Sequence, residues 1–308
     1  MNRNSLSTTL LKPTVSDYLS CLQVVMVNTT LPANIGSAAR AMHTMGLSRL
    51  TVVDPKHPID ETSVSHAAGG SDVLADAKIT PTLEVAISDC QLVFAASSRS
   101  RHLPRPVVTP TQAAKIMLDF IDKQSAIDQK TATDSQANRD SNKPNIAILF
   151  GREDRGLTNE ELAYADYHIQ IDANPDYPVL NVASAVQVIA SFIFAYAQTH
   201  VNTVDKDINI ATNNDSHHDR KDINNLNTVV PPTLNLHTRQ QWDEPAITQQ
   251  QLQQLTGRTT ELMVQRGLAD ADHLKSLPAR LSRLGSRVQL DQKEYQLLSA
   301  LIAKLLKG

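Results

Sequence analysis

The sequence predicts an α/β fold, a mainly parallel sheet followed by a small helical module, and three observations carry that prediction. Between Leu22 and Gln198, short runs rich in Val, Ile and Leu alternate with stretches of helical periodicity. The short runs are apolar throughout, as in strands covered on both faces, whereas a half-exposed strand would alternate. Beyond residue 246 only helical periodicity returns.

The strand runs are 23–27, 50–53, 92–96, 146–150 and 168–171, with a shorter one at 78–80. Helical spacing predicts helices over 35–45, 81–88, 111–121, 159–165 and 181–200 in the first part, and over 247–267, 278–287 and 291–306 in the second. Residues 123–145 and 201–245 are rich in Asn, Asp, Gln and Ser and poor in large apolar side chains. Such segments bury too little surface to offset their ordering entropy. The predicted organisation is therefore a flexible extension at 1–21, an α/β domain at 22–200 with a polar insertion at 123–145, a linker at 201–245, and a helical module at 246–308.

Composition excludes several classes. The 308 residues are 41% hydrophobic but 4% aromatic, so aliphatic side chains must fill the core. Cys21 and Cys90 form no CxxC or His/Cys cluster, which argues against a zinc site or a disulfide framework. His217, His218 and His237 fall in the linker without fixed ligand spacing, so no metal is expected. The N-terminus lacks a continuous apolar run and a small-residue cleavage site, and a cytoplasmic protein is expected. Residues 179–197 are apolar enough to raise the question of a membrane span. Asn181, Ser184, Gln187 and Ser191 place a polar stripe along that helix, and no Lys or Arg lies between Arg155 and Lys206, so no membrane partner is expected. The formal net charge is −3, yet residues 246–308 carry nine Lys/Arg against five Asp/Glu. Phosphate binding depends on a local patch, and Arg280, Arg283 and Arg287 fall at i, i+3 and i+7 in that module. Leu277, Leu281, Leu284 and Val288 read as the apolar face of the same helix.

Three stretches place polar chemistry beside a buried strand. The first runs from Val25 through Asn28 to Asn34, Gly36 and Arg40: a strand, a polar loop, and a helix that Asn34 could cap. A strand feeding a helix N-terminus is an anion site by construction, and Arg40 lies on the first turns of that helix. Neither GxGxxG nor GxxxxGK[ST] is present, which argues against a dinucleotide-dependent oxidoreductase or a P-loop enzyme. The second stretch is Ile146–Leu157, where a strand ends in Gly151, four charged residues and Gly156. Charge at the carboxyl end of a buried strand is where open α/β sheets bind ligands. The third is Ile169–Val182, where two prolines and an Asn-Pro pair fix an irregular loop able to offer backbone groups to a flat heterocycle. Taken singly, each also reads as an ordinary cap, a solvated turn and a rigid connector.

In order, the three resemble the signature motifs of the SpoU/TrmH branch of the SPOUT methyltransferases. Asn34-Ile-Gly36 followed by Arg40 resembles the first motif, Phe150-Gly151-Arg152-Glu153 with Gly156-Leu157 the second, and Leu180-Asn181-Val182 with Ala185-Val186-Gln187 the third. Residues 42–47, 67–73, 98–104, 156–162 and 173–177 further resemble the bacterial tRNA cytidine/uridine 2′-O-methyltransferases of this branch, which act at position 32 of the anticodon loop. The resemblance covers residues 22 to about 198 well and the helical module more loosely.

That resemblance implies a sheet whose later part is threaded into a trefoil knot, S-adenosyl-L-methionine as cofactor, tRNA as substrate, and a homodimer with each site at the subunit interface. By position it implies cofactor contacts from Ala96, Ser97, Ser98, Gly151, Ile171, Pro178, Val179 and Leu180. It makes Arg40 the catalytic arginine, supported by Asn34, Glu153 and Asn181, and has Arg99 and Arg101 hold RNA beside Arg280, Arg283 and Arg287. Relatives commonly carry serine where Val179 stands, so Val179 and Pro178 are expected to act through the backbone alone. Modification of another tRNA or rRNA site, or a non-catalytic RNA-binding relative, are the alternative functions.

Overall fold

A computed structural model describes residues 13–97, 105–131, 143–174, 176–211 and 244–307. Seven strands form one sheet: β1 (Leu22–Val27), β2 (Arg49–Val53), β3 (Lys78–Thr80), β4 (Leu92–Ala96), β5 (Val107–Val108), β6 (Ile146–Phe150) and β7 (Tyr167–Ile169). They stand in the order β3-β2-β1-β6-β4-β7-β5, and every pairing is parallel. Alternate residues of a strand point to opposite faces. Val24 and Met26 of β1 accordingly join one core with Phe94, Ile148 and Phe150, while Val25 and Val27 join a second with Val93, Ala147 and Leu149. Both faces are covered, which is why the strands read as continuous apolar runs.

The larger core is roofed by α1 (Val15–Ser20), α2 (Pro32–Thr44), α4 (Ser71–Ala75), α6 (Pro110–Thr131) and α8 (Val182–Ala211), with α3 (Glu61–Ala67) packed outside α2. The smaller core is closed by α5 (Leu83–Ala86) and α7 (Asn159–Leu162). The stretch 182–202 of α8 is long and apolar enough to cross a membrane, but Val186, Ile189, Ala190, Ile193 and Ala197 are buried against the sheet side of the molecule.

The helical module consists of α9 (Gln249–Gln265), α10 (Leu277–Val288) and α11 (Gln292–Lys307) around Leu252, Leu255, Leu290 and Ile302. Its first residues are tied to the α/β domain: Ala246 N–H donates to Gln124 Oε1 at 2.9 Å and Gln249 N–H to the Cys90 carbonyl at 2.8 Å. These anchors lie at the amino ends of the strands, because Cys90 precedes β4 and Asp166, which accepts from Gln249 Nε2 at 3.4 Å, precedes β7.

Five expectations need correction. Residues 15–20 are not part of a flexible extension. Thr14 and Asp17 form a capping box that starts α1, and Tyr18 and Leu19 are buried on the main core. Residues 123–131 are not part of the polar insertion, since α6 continues to Thr131. Gln124 and Ile127 continue its buried face one and two turns beyond Phe120. Residues 201–211 likewise extend α8 and do not open the linker. Two short helices, α3 and α4, were not foreseen; the first is set by Asp60, whose carboxylate accepts from Thr62 and Ser63 N–H. Finally, the face Leu277–Leu281–Leu284–Val288 is not buried as a stripe. Leu284 and Val288 remain more than half exposed because α10 meets α9 through Gly285, where a Cβ would come within 2.4 Å of Leu252 Cδ1.

Candidate active site

The three polar stretches converge at the carboxyl ends of β1, β6 and β7. The helix α2 begins earlier than its sequence suggests, at Pro32, whose missing N–H is no loss in the first turn. Asn34 is therefore not the cap. It lies inside the first turn, buried, with its side chain turned toward the second and third stretches.

The anion expected at this helix N-terminus is supplied by the chain itself. The Glu153 carboxylate accepts from the N–H groups of Thr30 at 3.0 Å and Leu31 at 3.1 Å and from Asn34 Nδ2 at 2.8 Å. Partial burial pushes the Glu153 pKa up, but these donors outweigh it and hold the carboxyl below the ordinary glutamate value. Asn34 Oδ1 in turn accepts from Asn181 Nδ2 at 3.0 Å, and Asn181 Oδ1 accepts from Ala183 N–H at 2.9 Å, capping α8. One chain of hydrogen bonds thus joins Glu153, Asn34 and Asn181.

The loop after β6 is held as tightly. Arg152 and Gly156 exchange backbone hydrogen bonds, and the Arg152 guanidinium forks onto Glu161 at 2.8 and 2.9 Å. Arg152 also donates to Asn28 Oδ1, and Asn28 Nδ2 reaches Asp54 Oδ2 at 2.7 Å. Sequence reading gave Arg152 only as part of the second motif, and overlooked its hold on Glu161 and this role of Asn28. The signal for Glu161 was the Thr158-Asn-Glu-Glu161 pattern, a capping box that points its carboxylate back to the loop. Gly151 sits where the loop folds on itself: a Cβ there would lie 2.2 Å from Gly156 C and Leu157 N. No other residue fits without opening the turn.

Between this loop and the one leading into α8 lies a cavity with about 920 Å³ of empty space, its open mouth included. Ala96, Ser97, Gly151, Ile171, Pro178, Val179 and Leu180 all line it, so the structure brings together every described residue expected to contact cofactor. Leu157, Ile169, Val182 and Ala185 add apolar wall that sequence reading did not assign, and Arg152 through Arg155 form its polar edge. Ser98 lies outside the described residues, as do Arg99 and Arg101.

The structure separates Arg40 from this cavity within one chain. Arg40 is exposed on α2 and lines a shallow groove with Ser37, Ala41, Thr44, Ala183, Ser184 and Gln187. Gly36 serves packing there, since a Cβ would collide with the Ser63 carbonyl of α3 at 2.0 Å. On α10, Arg280 and Arg287 are exposed, while Arg283 is half-buried and lies close enough to Arg105 to depress its pKa, after the larger effect of Arg105's own burial. Among the described residues no group of three or more His, Cys, Asp or Glu side chains is placed to hold a metal ion.

A slot with apolar walls, backbone-rich loops and a charged edge suits a nucleoside carrying a zwitterionic tail. A parallel α/β sheet with a ligand slot at the carboxyl ends of its strands is the class that fold and site define. The model of the SpoU rRNA methylase family matches residues 21–191, and the chain belongs to that family. The tRNA (cytidine/uridine-2′-O-)-methyltransferase TrmJ of Escherichia coli K12 is 42% identical over 172 residues, covering 56% of this chain and 62% of that one. The tRNA (cytidine/uridine/adenosine-2′-O-)-methyltransferase TrmJ of Pseudomonas aeruginosa is 39% identical over 171 residues, covering 56% and 59%. The chain thus spans about three-fifths of the length of these curated relatives. The crystal structure of TrmJ from Z. mobilis ZM4 has the same fold, with a TM-score of 0.65 at 24% identity over 92% of this chain and 98% of that chain.

Proposed function

We propose that this protein transfers a methyl group from S-adenosyl-L-methionine to the ribose 2′-hydroxyl of the pyrimidine nucleotide, C or U, at position 32 of the tRNA anticodon loop. The observation that carries this reading is the convergence of Gly151, Ile171 and Pro178–Leu180 on one slot beside the Glu153–Asn34–Asn181 network. When bound, the cofactor supplies an electrophilic sulfonium methyl, so the chemistry calls for no metal. The chain's task is to orient the weakly nucleophilic hydroxyl and stabilise charge as it develops on that oxygen.

Arg40 fits the stabilising role, being cationic with several donors in a fixed fork. As guanidinium stays protonated, it does not act as the base; it orients the hydroxyl and an adjacent phosphate, and that phosphate takes the proton the hydroxyl loses as its oxygen gains the methyl. Its place outside its own chain's slot supports a homodimer, in which Arg40 of the partner subunit completes the site. Asn34, Glu153 and Asn181 hold the end of α2 and the start of α8 in register with the slot. Backbone groups of Pro178, Val179 and Leu180, with Ala96 and Ser97, hold the adenosine. The same reading includes a trefoil knot, supported by β7 lying between β4 and β5 although it follows both in the chain. Arg99, Arg101 and the basic face of α10 would contact tRNA phosphates, and the reading places the protein in the cytoplasm.

The test is direct. Purified protein is incubated with labelled S-adenosyl-L-methionine and unmodified tRNA transcripts, and the methylated nucleotide is mapped. A 2′-O-methyl group at position 32 is expected; methyl transfer to a base, to another position, or none at all overturns the reading.

A further inference from the structure

Aromatic side chains are scarce in this protein, and most of the described ones are buried or half-buried. Tyr177 stands apart. At 77% relative exposure it is the most exposed large hydrophobic side chain among the described residues. Burying such a ring would ordinarily stabilise the fold, so leaving it in water needs a physical reason.

Its position gives one. Tyr177 directly precedes Pro178, Val179 and Leu180, which line the slot. The turn that carries it is fixed by two hydrogen bonds onto Asn174: Tyr177 N–H donates to the Asn174 carbonyl at 3.0 Å and Asp176 N–H to Asn174 Oδ1 at 3.1 Å. Pro178 removes backbone freedom on the other side. Val179 and Leu180, which line the slot, are also exposed, at 55% and 39%, so Tyr177 heads an exposed apolar run that leads directly into the slot's wall. A residue with serine chemistry at 179 would break that run; valine continues it.

We propose that Tyr177 is a substrate-binding residue whose ring stacks on the nucleobase of the nucleotide being methylated. The inference rests on the proposed 2′-O-methylation and goes beyond it by naming what holds the base. Methylation of a ribose in a loop requires that nucleotide to be turned out of its stack. An unstacked base is best received on an aromatic face. A ring reads the π-face and not the hydrogen-bonding edge, so the contact holds cytosine and uracil alike.

The experiment compares wild type, Tyr177→Ala and Tyr177→Phe on three transcripts with cytidine, uridine or an abasic ribose at the target position. Tyr177→Ala should raise Kd and KM for the cytidine and uridine transcripts about tenfold or more, and equally for both. Tyr177→Phe should behave as wild type, and the affinity for S-adenosyl-L-methionine should stay within about twofold. On the abasic transcript, wild type and Tyr177→Ala should bind alike. A penalty that persists on the abasic transcript, a loss of cofactor affinity instead of tRNA affinity, or a shift to monomer on sedimentation would each overturn the stack. If wild type methylates tRNA and Tyr177→Ala matches it, only the stacking role fails. If wild type transfers no methyl group to tRNA, the underlying reading fails with it.

Discussion

Asn34 donates to Glu153 across 119 residues of chain, at 2.8 Å, and together with the Thr30 and Leu31 N–H groups that bond ties the first turn of α2 to the loop after β6. The carboxylate fills the helix N-terminus that would otherwise attract a ligand anion. The role of this pair is structural and electrostatic at once, and it defines what several substitutions should do.

Replacing Glu153 with Gln keeps the size but presents an amide N–H₂ to groups that are themselves donors. Two backbone N–H groups and Asn34 then compete for one oxygen. We expect a loss of about 2 kcal/mol in stability, as for removal of a charge-assisted hydrogen-bond acceptor. Urea unfolding of the two proteins measures it, and an unchanged midpoint would mean the carboxylate is not holding α2.

Gly151→Ala should act on the cofactor first. The added methyl would overlap Gly156 and Leu157 backbone, so the loop must open by more than a side-chain adjustment. Calorimetric titration with S-adenosyl-L-methionine should show at least a roughly tenfold weaker Kd, with most of the fold's ellipticity intact. Wild-type affinity would show that the loop relaxes at no cost to the slot.

Arg40→Ala should slow methyl transfer by about 100-fold or more while tRNA and cofactor affinities change little, the signature of an interaction made in the transition state. Arg40→Lys should remain poor, since one ammonium cannot reproduce a two-pronged fork. Single-turnover rates decide this. Mixing Arg40→Ala with Gly151→Ala subunits, at a cofactor concentration too low to load the Gly151→Ala slot, adds a test of the dimer: recovered activity is expected if each site draws Arg40 from the partner subunit.

Two carboxyl groups should bend the stability–pH curve in opposite directions. Burial at the junction with the helical module pushes Asp166 up to about 6, against the Val93 N–H at 2.8 Å and the Arg105 charge. An acid whose pKa rises on folding binds its proton more tightly in the native state, so its contribution falls as pH rises from about 4 to about 6. The full effect is on the order of 3 kcal/mol. Asp166→Asn should flatten that segment of a melting-temperature profile. Glu153, lowered on folding, stabilises above its ordinary range and loses that contribution as pH falls through its folded value, so Glu153→Gln should flatten the more acidic segment.

On α10 the arginines should divide. Neutralising the exposed Arg280 and Arg287 together is expected to weaken tRNA binding and lower the log–log salt slope by about 2. Arg283, half-buried beside Arg105, should instead affect how firmly the module is seated. Filter binding across a salt series separates the two, and an unchanged slope for the exposed pair would remove the basic face from the RNA contact.

Much of this molecule was legible in its residues because the relevant signals are local. The runs 92–96 and 146–150 are apolar on every residue, and only a strand buried on both faces asks for that. The motif residues Gly151 and Ile171 could be placed at strand ends, and Pro178 and Leu180 in the loop before the last long helix, before any coordinates, and they do share one slot. What sequence alone left open depends on contacts between distant segments. Asn34 could cap or support, and the start of α2 at Pro32 decided for support by turning its amide toward Glu153 and Asn181. The length of α6 was set by burial of Gln124 and Ile127, which a polar composition concealed. The separation of Arg40 from the slot, the inward tilt of Arg283 and the exposure of Tyr177 follow from how helices pack and loops close. Periodicity tells which face of a segment is apolar; only the assembled fold tells what that face, or its opposite, will meet.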